Sequence, residues 1–152
     1  SATSFQFRLG TVLGANDIYG SGKTSKISES VSDVPTGVNV YARLYYMLDG
    51  SWQYLDYTYP GAPTAPSLTT PTPGTTLSGS TVTFSWNPGT ATTFKFQLGS
   101  YTGGNGLYGS GPTTKTSETV SNLPVNGETI HARLSYLSGS VWQSIDYVYT
   151  AK

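Results

Sequence analysis

The chain has 152 residues, 36% hydrophobic and 13% aromatic, enough for one medium domain or two small ones with a buried core. Only 11% are charged, and eight basic side chains cancel eight acidic ones, which excludes the basic surface that nucleic acid or an anionic membrane calls for. There is no cysteine, hence no disulfide framework or thiolate chemistry, and no apolar run approaches the ~20 residues of a membrane span.

The start, "SATSFQF", has neither an initiator Met nor a signal-peptide pattern and reads as the edge of a processed or excised piece. From there the chain alternates with period two and shows no helical stretch. "FQFRLG" (Phe5 to Gly10) is followed by turn-rich sequence through "NDIYGSG" (Asn16 to Gly22) and "SESVSDVP", ending at Pro35. In "VNVYARLYYM", Val40, Ala42, Leu44 and Tyr46 face one way and Tyr41, Arg43, Tyr45 and Met47 the other; "WQYLDYTY" splits into Leu55, Tyr57 and Tyr59 against Trp52, Tyr54, Asp56 and Thr58. Pro60, Pro63, Pro66, Pro71 and Pro73 prevent a central strand in the segment that follows, which grades from linker into edge strand. "STVTFSW" then puts Val82, Phe84 and Trp86 on one face, and "FKFQL" does the same with Phe94, Phe96 and Leu98. Short strands separated by Gly, Pro, Ser and Asn turns at this density predict a β-sandwich.

The later elements repeat the earlier ones. Phe5 recurs as Phe94, Asn16 as Asn105 and Pro35 as Pro124, each at a spacing of 89; after the proline one residue is inserted, so Arg43, Trp52 and Asp56 return as Arg133, Trp142 and Asp146 at a spacing of 90. Nothing like "STVTFSW" precedes the first copy. The predicted organisation is an incomplete module over 1–60, a Pro/Thr-rich linker or edge strand over 61–73, and a complete module over 66–152.

The second module resembles a fibronectin type III domain. The likeness is carried by the proline-rich lead-in, by "VTFSWNPG" with an inward Trp86, by "FKFQL", by "NLPVNGETIHARL" opening a long strand, and by the final "WQSIDYVY". It extends to the later strands of the first module, with Val40 and Ile130 standing where the family has its corner tyrosine. The resemblance implies an all-β fold of tandem immunoglobulin- or fibronectin type III-like antiparallel sandwiches, the first lacking its two N-terminal strands. The closest likeness is to Thr/Gly-rich repeats of large bacterial extracellular proteins. It implies a spacer, adhesive or carbohydrate-binding role at the bacterial cell surface, and no catalytic residues.

Catalysis needs a nucleophile with a base, a carboxylate pair or a metal cluster, and none is legible. The single histidine, His131, answers to Tyr41 in the first copy, and the "GSG" turns at Gly20 and Gly109 precede no helix that would make them phosphate loops. The expectation is a protein that is not an enzyme and uses no cofactor or metal. What does recur is Arg43 with Asp56 and Arg133 with Asp146, predicted on one outer face of neighbouring strands as cross-strand ion pairs, with Trp52 or Trp142 on the same face as a stacking surface for the guanidinium. Two readings of that face stand side by side: a structural brace, or a binding face in which Tyr41, Tyr54 and Trp52 offer rings to a glycan or another protein.

In the first module Phe5, Phe7, Leu9, Val40 and Leu44 have no opposite sheet. A longer array, packing on the second half, or a neighbouring chain would cover them, the last by strand or sheet complementation. The expected partners are other copies of the chain or neighbouring repeats, with glycans as an alternative ligand, no nucleic acid and no membrane insertion. The expected function is a non-enzymatic extracellular structural or adhesive repeat in a stalk, adhesin or filament; a carbohydrate-binding module is the alternative.

Overall fold

The computed structural model describes residues 2–152. Eleven strands follow in chain order: β1 Phe5–Gly10, β2 Tyr19–Gly20, β3 Val40–Leu48, β4 Ser51–Tyr59, β5 Ser67–Thr70, β6 Val82–Asn87, β7 Phe94–Gly99, β8 Tyr108–Gly109, β9 Ser117–Val120, β10 Thr129–Ser138 and β11 Val141–Thr150. There is no helix among them, so none is long and apolar enough to cross a membrane. The chain divides into two compact units, the first ending at Pro63 and the second running from Thr64 to Lys152.

The second unit is a complete two-sheet sandwich. One sheet has the order β11-β10-β7-β8 and the other β5-β6-β9, the antiparallel arrangement of a fibronectin type III-like fold. Alternation decides which residues meet between the sheets: β6 buries Val82, Phe84 and Trp86 and exposes Val82's neighbour Thr83, while β7 buries Phe94, Phe96 and Leu98. The Phe84 ring lies 5.1 Å from Phe96 and 5.5 Å from Tyr149, and Trp86 stacks on Phe96 at 5.6 Å. Burying each such side chain stabilises the fold by roughly 1.5–3 kcal/mol. The Pro-rich lead-in provides β5 as an edge strand, ending at the cis Thr70–Pro71 bond; its Leu68 is buried, and its tie to the opposite sheet is the Leu68 amide donating to the Tyr147 hydroxyl at 3.2 Å.

The first unit is one four-stranded sheet, β2-β1-β3-β4. Its register copies that of the second unit, with Phe7 opposite Leu44 and Arg43 opposite Asp56 where the later copy has Phe96 opposite Leu134 and Arg133 opposite Asp146. Among the described residues the first unit has no counterparts of β5 and β6, as the sequence predicts, and none of β9. Residues 28–31, "SESV", repeat the "SETV" of β9 but are not a strand. The cause is pairing: β9 exists because Val82 to Ser85 of β6 bond to it, and the first unit holds no such partner.

Of the five residues expected on an uncovered face, two are not uncovered. Leu9 and Val40 are 7% and 4% exposed, packed with Ala42, Ile18, Tyr19 and Val31 in a small core that the unit's own connecting segments close. Phe5, Phe7 and Leu44 remain half-buried, and every residue of β4 is exposed.

The same substitution therefore has unequal costs in the two units. Phe96→Ala is expected to destabilise the second unit by roughly 3–5 kcal/mol, and Phe7→Ala the first by less than about 2 kcal/mol, because Phe7 forfeits a half-made contact surface. Urea unfolding of each variant, followed by tryptophan fluorescence, checks the difference.

Candidate functional site

The outer face of the first unit is organised around one ion pair. Arg43 on β3 and Asp56 on β4 are direct cross-strand partners, and the guanidinium binds the carboxylate with two parallel bonds, Nε to Oδ1 at 2.7 Å and Nη2 to Oδ2 at 2.8 Å. The second unit repeats the fork with Arg133 and Asp146 at 2.7 and 2.9 Å. Bidentate geometry fixes orientation as well as charge, which is why arginine stands there in both copies.

The stacking partner differs from the expectation. Arg43 lies over the Tyr54 ring at 4.1 Å and within 5.8 Å of the Tyr45 ring, and it does not stack on Trp52. Strand geometry explains this: Tyr54 is two residues from Asp56 on the same face, whereas Trp52 is four residues away, about 13 Å along the strand. In the second unit the tyrosines are replaced by Ser135 and Ser144, whose hydroxyls bond to each other at 3.0 Å, and Trp142 is covered by Lys95 at 4.2 Å. Trp52, 42% exposed, carries no such cation. Tyr41 lies on the same face as Arg43, opposite Thr58.

The first unit adds a second arginine. Arg8 on β1 is the direct partner of Arg43, a like-charge pairing that Gln97 avoids in the other copy, and its guanidinium lies 5.0 Å from the Tyr45 ring. Arg8, Tyr45, Arg43 and Tyr54 thus interleave cations and rings, with Asp56 the carboxylate bound to Arg43. The Arg8 Nε is buried without a hydrogen-bond partner. His131 faces Thr102, whose hydroxyl is 3.2 Å from Nδ1. Among the described residues no group of three His, Cys, Asp or Glu side chains has the spacing of a metal site.

Sequence reasoning missed the floor beneath the ion pair. Gly14 and Gly103 hold φ of 81° and 80°, and a methyl on either would come 2.9 Å or 2.7 Å from the Nη1 of Arg43 or Arg133. The two glycines share the spacing of 89 with the rest of the first-half repeat, a signal available without coordinates.

On the inner face, Phe5, Phe7, Leu44, Tyr57 and Tyr59 line an open groove of about 390 Å³, flanked by Lys26 and Glu29. Tyr57 and Tyr59 are 45% and 55% exposed, whereas Tyr149, the counterpart of Tyr59, is 1% exposed and donates a hydrogen bond to the Pro71 carbonyl at 3.0 Å. Of the nominated face, the structure thus joins Phe5, Phe7 and Leu44 in one groove and separates Leu9 and Val40 from it.

Comparison with known proteins adds little. No family model matches the chain, and no curated protein matches it. A solved structure of an amphioxus IgVJ-C2 molecule is 15% identical over 96% of this chain and 89% of that one, with a TM-score of 0.36. The sheet orders and registers define the class: an all-β protein of tandem immunoglobulin- or fibronectin type III-like modules, the first without the strands that would cover it.

Two outcomes follow. Hydrogen bonds from Arg43 and Arg133 hold the Asp56 and Asp146 carboxyls below their ordinary 3.8. A lowered folded-state pKa gives stability that is complete above the unfolded value, near 3.9, and lost as pH falls through the folded value. The thermal midpoint should therefore drop as pH falls below about 4, and Asp146→Asn should flatten part of that slope in calorimetric scans. Separately, Gly103→Ala should cost more than about 1 kcal/mol, since it combines an unfavourable φ with displacement of Arg133. Gly111→Ala, at φ 64° with nothing within 4 Å, should cost less in the same denaturant titration.

Proposed function

We propose that this protein is a non-enzymatic structural or adhesive repeat, a link in an extracellular stalk, adhesin or filament at a bacterial cell surface. The observation that carries the reading is the half-made first unit: a sheet with sandwich register and an inner face of Phe5, Phe7 and Leu44 left open, in a chain whose second unit has the same sheet covered. An apolar face of this kind is a joint in want of a neighbour. Its partners are neighbouring repeats or other chains, and neither nucleic acid nor a lipid bilayer, in keeping with zero net charge and low charge density. The braces stiffen each sheet, which suits a load-carrying repeat.

A second reading is favoured by one residue. Trp52 leaves its ring uncapped on the face that also carries Tyr54 and Arg43, an arrangement that suits a glycan laid along the strand, one ring on Trp52 and hydroxyls toward the charged pair. The structural reading is preferred because the equivalent Trp142 is capped by Lys95 and the neighbouring rings are replaced by serines.

Native mass spectrometry with electron microscopy of material from the source tests the main proposal. It predicts long regular assemblies or a much larger tandem polypeptide; a compact monomer with no longer species contradicts it. On a glycan array the chain should give no signal that Trp52→Ala removes. Such a signal would move the assignment to a carbohydrate-binding module.

A further inference from the structure

The second unit displays what belongs over the first unit's groove. The counterparts of Phe5, Phe7 and Leu44 are Phe94, Phe96 and Leu134, none more than 1% exposed, because β6 lays Phe84 and Trp86 across them. Two tyrosine hydroxyls hold β5: Tyr147 accepts from the Leu68 amide and Tyr149 donates to the Pro71 carbonyl. β9 completes the cover by pairing with β6 from Val82–Val120 to Ser85–Ser117. The first unit keeps the receiving half of each contact. Its groove has the same apolar floor, Tyr57 and Tyr59 stand at the positions of Tyr147 and Tyr149 with exposed rings, and residues 28–31 repeat β9 without a strand to pair with.

We propose that the groove is a docking site for an extended two-strand polypeptide segment built like Ser67–Asn87, a reading that rests on the structural-repeat role above and specifies its joint. The first strand of the segment donates a backbone amide hydrogen bond to the Tyr57 hydroxyl, and one of its carbonyls accepts a hydrogen bond from the Tyr59 hydroxyl. The second pairs with residues 28–31 by backbone hydrogen bonds and sets two aromatic side chains, spaced like Phe84 and Trp86, on Phe5 and Phe7.

Area and stoichiometry select this occupant over a second copy pressed face to face. Four strands about 4.8 Å apart, of two to nine residues and averaging about six at about 3.3 Å each, present on the order of 400 Å². Two such faces bury about 800 Å², half of the ~1,600 Å² of a standard stable interface, and leave the backbone of 28–31 unpaired. Nor can a copy lend its β5 and β6, since its second unit is built on them. The donor is therefore a strand pair of the same pattern from outside residues 64–152.

The test fuses a second Thr64–Asn87 sequence, through a flexible Gly/Ser linker, ahead of the full chain, and follows amide hydrogen exchange. The expected result is at least about tenfold slower exchange at residues 28–31, with 117–120 unchanged. Leu44→Asp, or Phe84→Asp with Trp86→Asp in the fused copy alone, should restore fast exchange. Tyr59→Phe should give back roughly three- to tenfold of the protection. The copy-only substitutions leave the parent fold untouched, so their result does not hinge on the stability of a groove variant. Unchanged exchange at 28–31 in the fused chain overturns the proposal, as does protection indifferent to those substitutions, or a concentration-dependent dimer of the parent that buries Phe7. Protection without regular assemblies from the source would keep the docking site and remove the stalk or filament role; assemblies without protection would do the reverse.

Discussion

A β-sheet with one apolar face is stable only if something lies on that face, and this requirement orders the whole molecule. In the second unit it is met by Phe84 and Trp86, which reach across to Phe94, Phe96 and Tyr149 and leave those side chains with essentially no contact with water. Much else there follows from that contact. β9 is a strand because β6 is present to pair with it, Leu68 is buried because β5 is tied to Tyr147, and the connecting segment contributes Leu77 to the same core. The first unit is what remains when the covering strands are taken away: the same sheet, the same register, a residual core of Leu9, Val40 and Ala42, and a groove.

The outer faces obey a different constraint. Within each unit the order of the outer face comes from cross-strand pairs, and the Arg–Asp fork is present in both. Around it the two units diverge, with an alternation of Arg8, Tyr45, Arg43 and Tyr54 in one and a pair of serines with a Lys95-capped Trp142 in the other. The fork depends only on register and on the glycine turn beneath it, so it can stay while its surroundings change. A ligand platform depends on the rings themselves.

Much of this was legible in the sequence, for physical reasons. Period-two alternation gave the strands, the spacing of 89 and then 90 gave the modules, and parity placed Arg43 with Asp56. What escaped depends on three-dimensional reach. Alternation puts Leu9 and Val40 on the inner face but does not say that Ile18 and Val31 fold back over them. It puts Trp52 on Arg43's face but not beyond its reach, and it does not reveal that Lys95 takes Trp142. The likeness of "SESV" to "SETV" suggests a strand, yet strand formation is decided by a partner, and near-identical local sequence has different structure where the partner is absent.

The central claim, that the first unit is a sandwich half awaiting its other sheet, is tested most directly by comparing amide hydrogen exchange of residues 28–31 with that of residues 117–120 in the unmodified chain. The account predicts strong protection at 117–120, where β9 is paired with β6, and fast exchange at 28–31, where the same sequence pattern lacks a partner. Equal protection at the two sites would mean that the first unit is already covered in solution, and would contradict it.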